Sequence, residues 1–213
     1  MLFRSADLVA KADPDGYTLL VSPPPPLAVN MSLYKAMPFD ASTAFAYVGI
    51  VAQSPSVFAV SPKTQYKSVA EFVAFAKANP GKVNYATQGN GTTSHLTTAM
   101  LATQRDLQMT HIPYRGSAPA LTDLLAGQVD IMFDNLGSSL GHIKAGTLRA
   151  LAVAGTARNE NLPDVPTMVE AGFPGFISVA WFGVAAPART PNDIVELISG
   201  HVDRKSTRLN SSH

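Results

Sequence analysis

Short, continuously apolar runs, each joined by a few residues to a segment with apolar positions at helical spacing, set the strongest constraint on this fold. Val83–Ala86 leads into a helical pattern through Leu96, Met100 and Leu101. Val129–Phe133 follows a helix whose apolar side is Leu121, Leu124 and Leu125. Tyr17–Ser22, Val48–Val51, Val57–Val60, a short run near 109–112, Leu148–Ala154 and Trp181–Ala185 read the same way. Apolar runs without alternation suit strands buried on both faces of a parallel sheet. Strands and helices joined by short connections define an α/β fold, each sheet mostly parallel and flanked by helices.

Punctuation supports the boundaries. Ser68 with Glu71 three residues on predicts a capping box, and Pro80 with Gly81 stops that helix. Ser117 is the expected cap of the next helix but one, and Gly127 its close. The run Pro23–Pro26 predicts a stiff polyproline II exit from the first strand. Val48–Val51 and Val57–Val60, parted by Gln53, Ser54 and Pro55, read as two strands between which the chain crosses from one lobe to another. The loop-rich stretch 155–176 suits the return crossing. Residues 6–53 with 156–203 are therefore expected to form one lobe and 54–155 the second.

The ends differ from this pattern. Residues 204–213, a polar and basic tail without period, resemble translated sequencing adapter, and residues 2–5 resemble the same adapter read from the other end. Residues 1–5 and 204–213 are expected to be non-native or disordered, and the chain to be a fragment.

Charged residues make up 15% of the chain and the formal net charge is +1, so no electrostatic footprint for nucleic acid is present. The absence of cysteine excludes disulfides and thiolate metal sites. His95, His111 and His142 lack metal-ligand spacing, and no Gly-x-Ser-x-Gly elbow occurs. Neither a metal nor a cofactor is expected, and no residue is assigned a catalytic role.

The feature that points to a ligand is the turn Gly89-Asn90-Gly91, followed by Thr92, Thr93, Ser94 and His95. A glycine turn opening a helix leaves backbone N–H groups unpaired, and these favour an anion. No lysine follows the glycines as in a phosphate-binding P-loop, and the dinucleotide fingerprint lacks its third glycine. A carboxylate needs only N–H and hydroxyl donors, so it fits this set. The alternative is a connecting turn whose hydroxyls act as caps. Asp134, at the carboxyl end of the Val129–Phe133 strand, is placed to accept from a ligand or to orient a neighbouring loop; the alternative is an Asx turn or helix cap, since Asn135, Ser138 and Ser139 follow. Arg115 offers a bidentate carboxylate partner or a solvated loop cation.

Ordered pieces along the chain carry a family resemblance. They are Pro14–Leu20, Ser32–Tyr34 with Pro38–Asp40, and Asn84–Ala86 with Gly89-x-Gly91 and His95-Leu96. Pro113–Ala120, Asp123–Asp130, Leu148–Ala152, Arg158, Leu162–Thr167, Glu170–Gly172 and Trp181–Gly183 with Ala186-Pro187 complete them. Together they resemble the substrate-binding proteins of the tripartite tricarboxylate transporter system, the Bug or TctC extracytoplasmic solute receptors. The resemblance implies a two-lobed periplasmic-binding-protein fold of type II, here with an incomplete first lobe lacking its first strand and carboxylate loop. It implies a monomeric, periplasmic receptor without catalysis, partnered by membrane permease subunits. Its ligand would be a small organic acid: a di- or tricarboxylate, an acidic amino acid or an aromatic acid. On the matching positions, Ser22, Gly89, Asn90, Gly91, Thr92, Thr93, His95 and Asp134 are the expected ligand-binding residues. Two other classes stay open: an effector-binding domain of a transcription regulator, and an α/β enzyme acting on a small anionic substrate.

Overall fold

The computed structural model describes residues 4–210, with side chains through residue 203. The chain forms two compact units, one continuous from Ser54 to Val179 and one assembled from the residues up to Gln53 and those from Ala180 onward.

In the discontinuous unit, helix α1 (Arg4–Ala10) precedes strand β1 (Leu20–Ser22), which pairs antiparallel with β7 (Val179–Pro187), Leu20 opposite Ala185 and Ser22 opposite Gly183. Helix α3 (Ala41–Ala44) leads into strand β2 (Phe45–Val60), which lies beside β7. Ala6, Val9, Leu20, Leu27, Phe45 and Ala185 form one core cluster. Val48, Val184 and Ala186 form another, against Val195, Ile198 and Val202 of α8 (Asn192–Asn210).

Several expectations are corrected here. The first strand is shorter than the apolar run, because Tyr17 donates its amide to Asp15 Oδ1 at 2.9 Å in a local turn. The prolines do not extend as polyproline II. Pro24 is right-handed helical (φ −52°, ψ −36°) and caps a π-helical turn over Pro25–Val29 that runs into α2 (Asn30–Leu33). Prolines fit there because the first turn of a helix needs no N–H donor. The backbone of α8 runs on through residues 204–210, a stretch that holds neither glycine nor proline. Residues 1–3 and 211–213 lie outside the described set.

In the continuous unit, β3 (Val83–Thr87) is parallel to β4 (Met109–Pro113) and β5 (Ile131–Asn135). The second half of β2 runs antiparallel to both β5 and β6 (Arg149–Val153), making a mixed sheet in which β2 alone is reversed. The two strands expected on either side of Pro55 are one. A proline is tolerated because the pairing of β2 with β5 begins only at Ser56. Helices α4 (Val69–Ala78), α5 (Thr93–Arg105), α6 (Ser117–Ala126) and α7 (Leu136–Lys144) flank this sheet.

Period-two alternation divides the buried strands between two cores. Phe58, Val60, Ile131 and Phe133 face one side with Phe72, Leu101 and Met168, while Ala59, Ala86 and Met132 face the other with Leu121 and Leu124. Phe58 stacks on Phe133 at 4.5 Å between ring centroids and meets Phe72 edge-on at 5.0 Å. Such contacts add about 0.5–1.5 kcal/mol per pair beyond area burial.

Residues 156–179, expected in the first lobe, pack in this unit instead. Thr167 bridges to Val153 in parallel, and Met168, Phe173 and Phe176 sit in the same core as Phe58 and Phe133. Burying those side chains outweighs the loop-like composition of the segment. A capping-box arrangement also holds it: Thr167 Oγ1 accepts from the Glu170 amide at 3.0 Å, and Glu170 Oε2 from the Thr167 amide at 2.7 Å. At α4 the expected box is modified. Ser68 Oγ accepts from the Glu71 amide at 3.2 Å, but Glu71 reaches back to Lys67 N–H rather than to that of Ser68.

Candidate functional site

The glycine turn joins β3 to α5 in the continuous unit. Gly89 and Gly91 hold φ of 125° and 76°, conformations that side chains other than glycine's rarely adopt. A Cβ on Gly89 would also meet the Tyr114 carbonyl oxygen at 3.3 Å. Thr92 is the N-cap of α5: its Oγ1 accepts from the His95 amide at 3.4 Å and donates to Gly89 O at 2.7 Å.

Two amides expected to face an anion are already bonded within the turn. Gly89 N–H donates to Thr87 Oγ1 at 3.2 Å, and Gly91 N–H donates to His95 Nδ1 at 3.2 Å. Local side chains reach these donors because the tight turn folds Thr87 and His95 back over it. Among the described residues, the amides of Asn90, Thr93 and Ser94 have no acceptor. The Ser94 hydroxyl, on a residue only 2% exposed, is likewise unpartnered. Thus the helix opening keeps free donors, though at positions shifted toward α5.

Beside the turn lies a ring stack that sequence reasoning missed. His95 and His111 are nearly parallel with centroids 4.4 Å apart, and Tyr85 stacks on the other side of His111 at 4.9 Å. The parallel register of β3 and β4, with Tyr85 opposite His111, builds it. Thr87 Oγ1 lies 2.6 Å from His111 Nε2. Burial pushes the pKa of His95 down; burial, and then the neighbouring His95, push His111 down as well.

Asp134 is 1% exposed, and its carboxylate is fully engaged inside the unit. Oδ1 accepts from Gln88 Nε2 at 2.7 Å and Ser117 Oγ at 2.8 Å, and Oδ2 from Ser139 Oγ at 2.6 Å. Within the unit these bonds tie the residue before Gly89 to the starts of α6 and α7. Ser117 is therefore not the cap of α6; Gly116 occupies that position and Ser117 points its hydroxyl at Asp134. Gln88, Ser117 and Ser139 could have been suspected only from their nearness to strand ends.

The site residues thus fall into two groups. Gly89, Asn90, Gly91, Thr92, Thr93, His95 and Asp134 are brought together at the carboxyl ends of β3 and β5, whereas Ser22 belongs to the other unit, buried at the end of β1. Tyr114 donates its hydroxyl to Asp123 at 2.6 Å, and Arg115 makes no ion pair among the described residues. No group of three His, Cys, Asp or Glu side chains that could hold a metal occurs among them.

An α/β unit presenting a glycine turn and an open helix N-terminus defines a class, and solved structures agree with it. The chain is similar to R. palustris Rpa4515 with adipate at 35% identity and a TM-score of 0.88, over 95% of this chain and 67% of that one. It is similar to MatC of Rhodopseudomonas palustris with bound malate at 31% identity and a TM-score of 0.87, over 95% and 69%. The fold is that of the periplasmic binding proteins. Residues 4–210 match the tripartite tricarboxylate transporter family receptor profile, TctC, and the chain belongs to that family. Among curated relatives it is 38% identical to protein BugT of Bordetella pertussis, over 92% of this chain and 61% of BugT. It is 40% identical to a protein from the tcbD–tcbE intergenic region of a Pseudomonas species, over 93% of this chain and 59% of that protein. The chain spans about three-fifths of the length of these relatives.

Proposed function

We propose that this chain is part of an extracytoplasmic solute receptor that binds a small organic acid through its carboxylate, in the periplasm, for delivery to membrane permease subunits. The observation that carries this reading is the open end of α5, where the Asn90, Thr93 and Ser94 amides and the Ser94 hydroxyl lack partners. Donors of this kind, at the positive end of a helix dipole, replace the water around a carboxylate at little cost in reorganisation. Membership of the receptor family supports the role, and the adipate and malate held by similar proteins support the ligand class. Binding rather than catalysis fits a site whose one buried carboxylate, Asp134, is saturated by three internal donors.

Thermal unfolding of the purified chain with adipate, malate, citrate, glutamate, benzoate and phosphate tests the reading. A ligand at a hundred times its Kd stabilises by about 2.7 kcal/mol. For a chain of this size that raises Tm by about 5–10 °C. A rise with at least one carboxylate is expected; no rise with any carboxylate, or a rise with phosphate alone, overturns the proposal.

A further inference from the structure

Of the two bonded amides of the glycine turn, that of Gly91 ends on a stacked imidazole and that of Gly89 on a hydroxyl beside the other ring. Gly91 N–H can only donate, so His95 Nδ1, 3.2 Å away, is a bare acceptor and the ring is neutral with its proton on Nε2. Gly89 N–H donates to Thr87 Oγ1, whose own proton has a short route of 2.6 Å to His111 Nε2 and only a 3.5 Å route to Gly89 O. The neutral rings therefore hold the turn closed on itself, one directly and one through a hydroxyl. A proton added to His95 Nδ1 converts that acceptor into a donor and leaves Gly91 N–H without its partner.

We propose that His95 and His111 are a proton-linked positioning pair for this turn: a proton taken up at His95 Nδ1, against which His111 is stacked, releases the Gly91 amide to an incoming carboxylate, so anion binding is coupled to proton uptake. This rests on the carboxylate-receptor reading and adds a regulation to the same site. Freed, the Gly91 amide joins those of Asn90, Thr93 and Ser94, beside the buried, unpartnered Ser94 hydroxyl. An imidazolium next to the bound carboxylate then contributes a charge-assisted contact.

The surroundings suit one proton and not two. Centroids 4.4 Å apart set two like charges face to face, so the pair titrates as a coupled unit. Of the other ionisable groups on neighbouring elements, Asp134 from β5 is committed to Gln88, Ser117 and Ser139, and Tyr114 after β4 to Asp123. Burial keeps both rings neutral in the free protein near neutral pH, which leaves them able to accept a proton when an anion arrives.

Two measurements test the pair. In the ¹⁵N-labelled chain without ligand, the Gly91 amide shift is expected to titrate with the midpoint of the His95 ring signals and to stop titrating in His95→Gln. A Gly91 shift that stays flat while His95 titrates overturns the proposal whether or not any ligand binds. Calorimetry with adipate at about pH 6.5, where ordinary carboxyls of pKa about 4 are ionised, then reads proton uptake from two buffers of different ionisation heat. Uptake of up to about one proton is expected, with affinity rising up to about tenfold per pH unit of acidification. That uptake should vanish in the His95→Gln/His111→Gln variant. Binding of adipate without uptake in the parent overturns the coupling and leaves the receptor reading intact. Should no carboxylate bind while Gly91 follows His95, the receptor reading fails and the proton control of the turn stands.

Discussion

Replacing Asp134 gives the most discriminating test of how the turn is held. Its carboxylate, 1% exposed, receives Gln88 Nε2, Ser117 Oγ and Ser139 Oγ at 2.6–2.8 Å. Hydrogen bonds to a charged acceptor contribute about 1.5–3 kcal/mol each, but two of these share one oxygen and their sum overstates the loss. Asp134→Ala leaves three neutral donors without this acceptor around a small void; at about 1–3 kcal/mol per unsatisfied buried donor, with the two hydroxyls free to rotate, the expected cost is about 3–5 kcal/mol. At about 2–4 °C per kcal/mol this lowers Tm by about 6–20 °C. In Asp134→Asn one carbonyl oxygen still serves Gln88 and Ser117, and the Ser139 hydroxyl can rotate to accept from the new amide, so the cost falls to about 1–2 kcal/mol. Thermal and urea unfolding of the three proteins, with amide exchange at Gly89 and Gly91, provide the readout. If alanine costs only about 0.5 kcal/mol, the level of an ordinary surface change, the carboxylate is not what anchors the loops. Asparagine as damaging as alanine would equally refute the hydrogen-bond account, by showing that charge alone matters.

Two further outcomes follow from the same geometry. Gly89→Ala should destabilise by about 1–2 kcal/mol, since its φ of 125° and the 3.3 Å approach to Tyr114 O both oppose a methyl group; urea unfolding no different from the parent would contradict the backbone reading. His95 and His111 have folded-state pKa values below the ordinary 6.5, so the unfolded chain binds more protons on acidification. Their contribution to stability is present above about pH 6.5 and is lost as pH falls toward their lowered values. A pH series of unfolding midpoints should slope downward there and flatten in His95→Gln/His111→Gln; equal slopes in the two proteins would count against it.

The sequence shows some parts of this site and hides others for definable reasons. Gly89, Gly91 and the Thr92 cap are legible because positive φ and an N-cap oxygen are local demands that few residue types meet. Asp134 is legible as a position at a strand end, but not as a saturated carboxylate. That requires Gln88, Ser117 and Ser139 to converge from three elements. The imidazole stack needs β3 and β4 to be known as in-register parallel neighbours, which no local pattern states. Gly91 looks like an open donor in the sequence because nothing local shows the His95 ring, four residues on, turning back to accept from its amide. The proline run misled because proline favours a helix's first turn as readily as an extended segment, and only packing of Leu27 in its core chooses. Residues 156–179 look like a crossing in composition, yet Met168, Phe173 and Phe176 bind them to the core of the continuous unit.

Nesting one unit inside the other has a consequence for synthesis on the ribosome. The stretch from Ser54 to Val179 emerges as an unbroken block, so it can condense as soon as Phe176 is available to meet Phe133. Leu20, by contrast, meets its partner Ala185 only after that whole block has been made. The continuous unit can therefore close before the β1–β7 pairing of the discontinuous unit is possible.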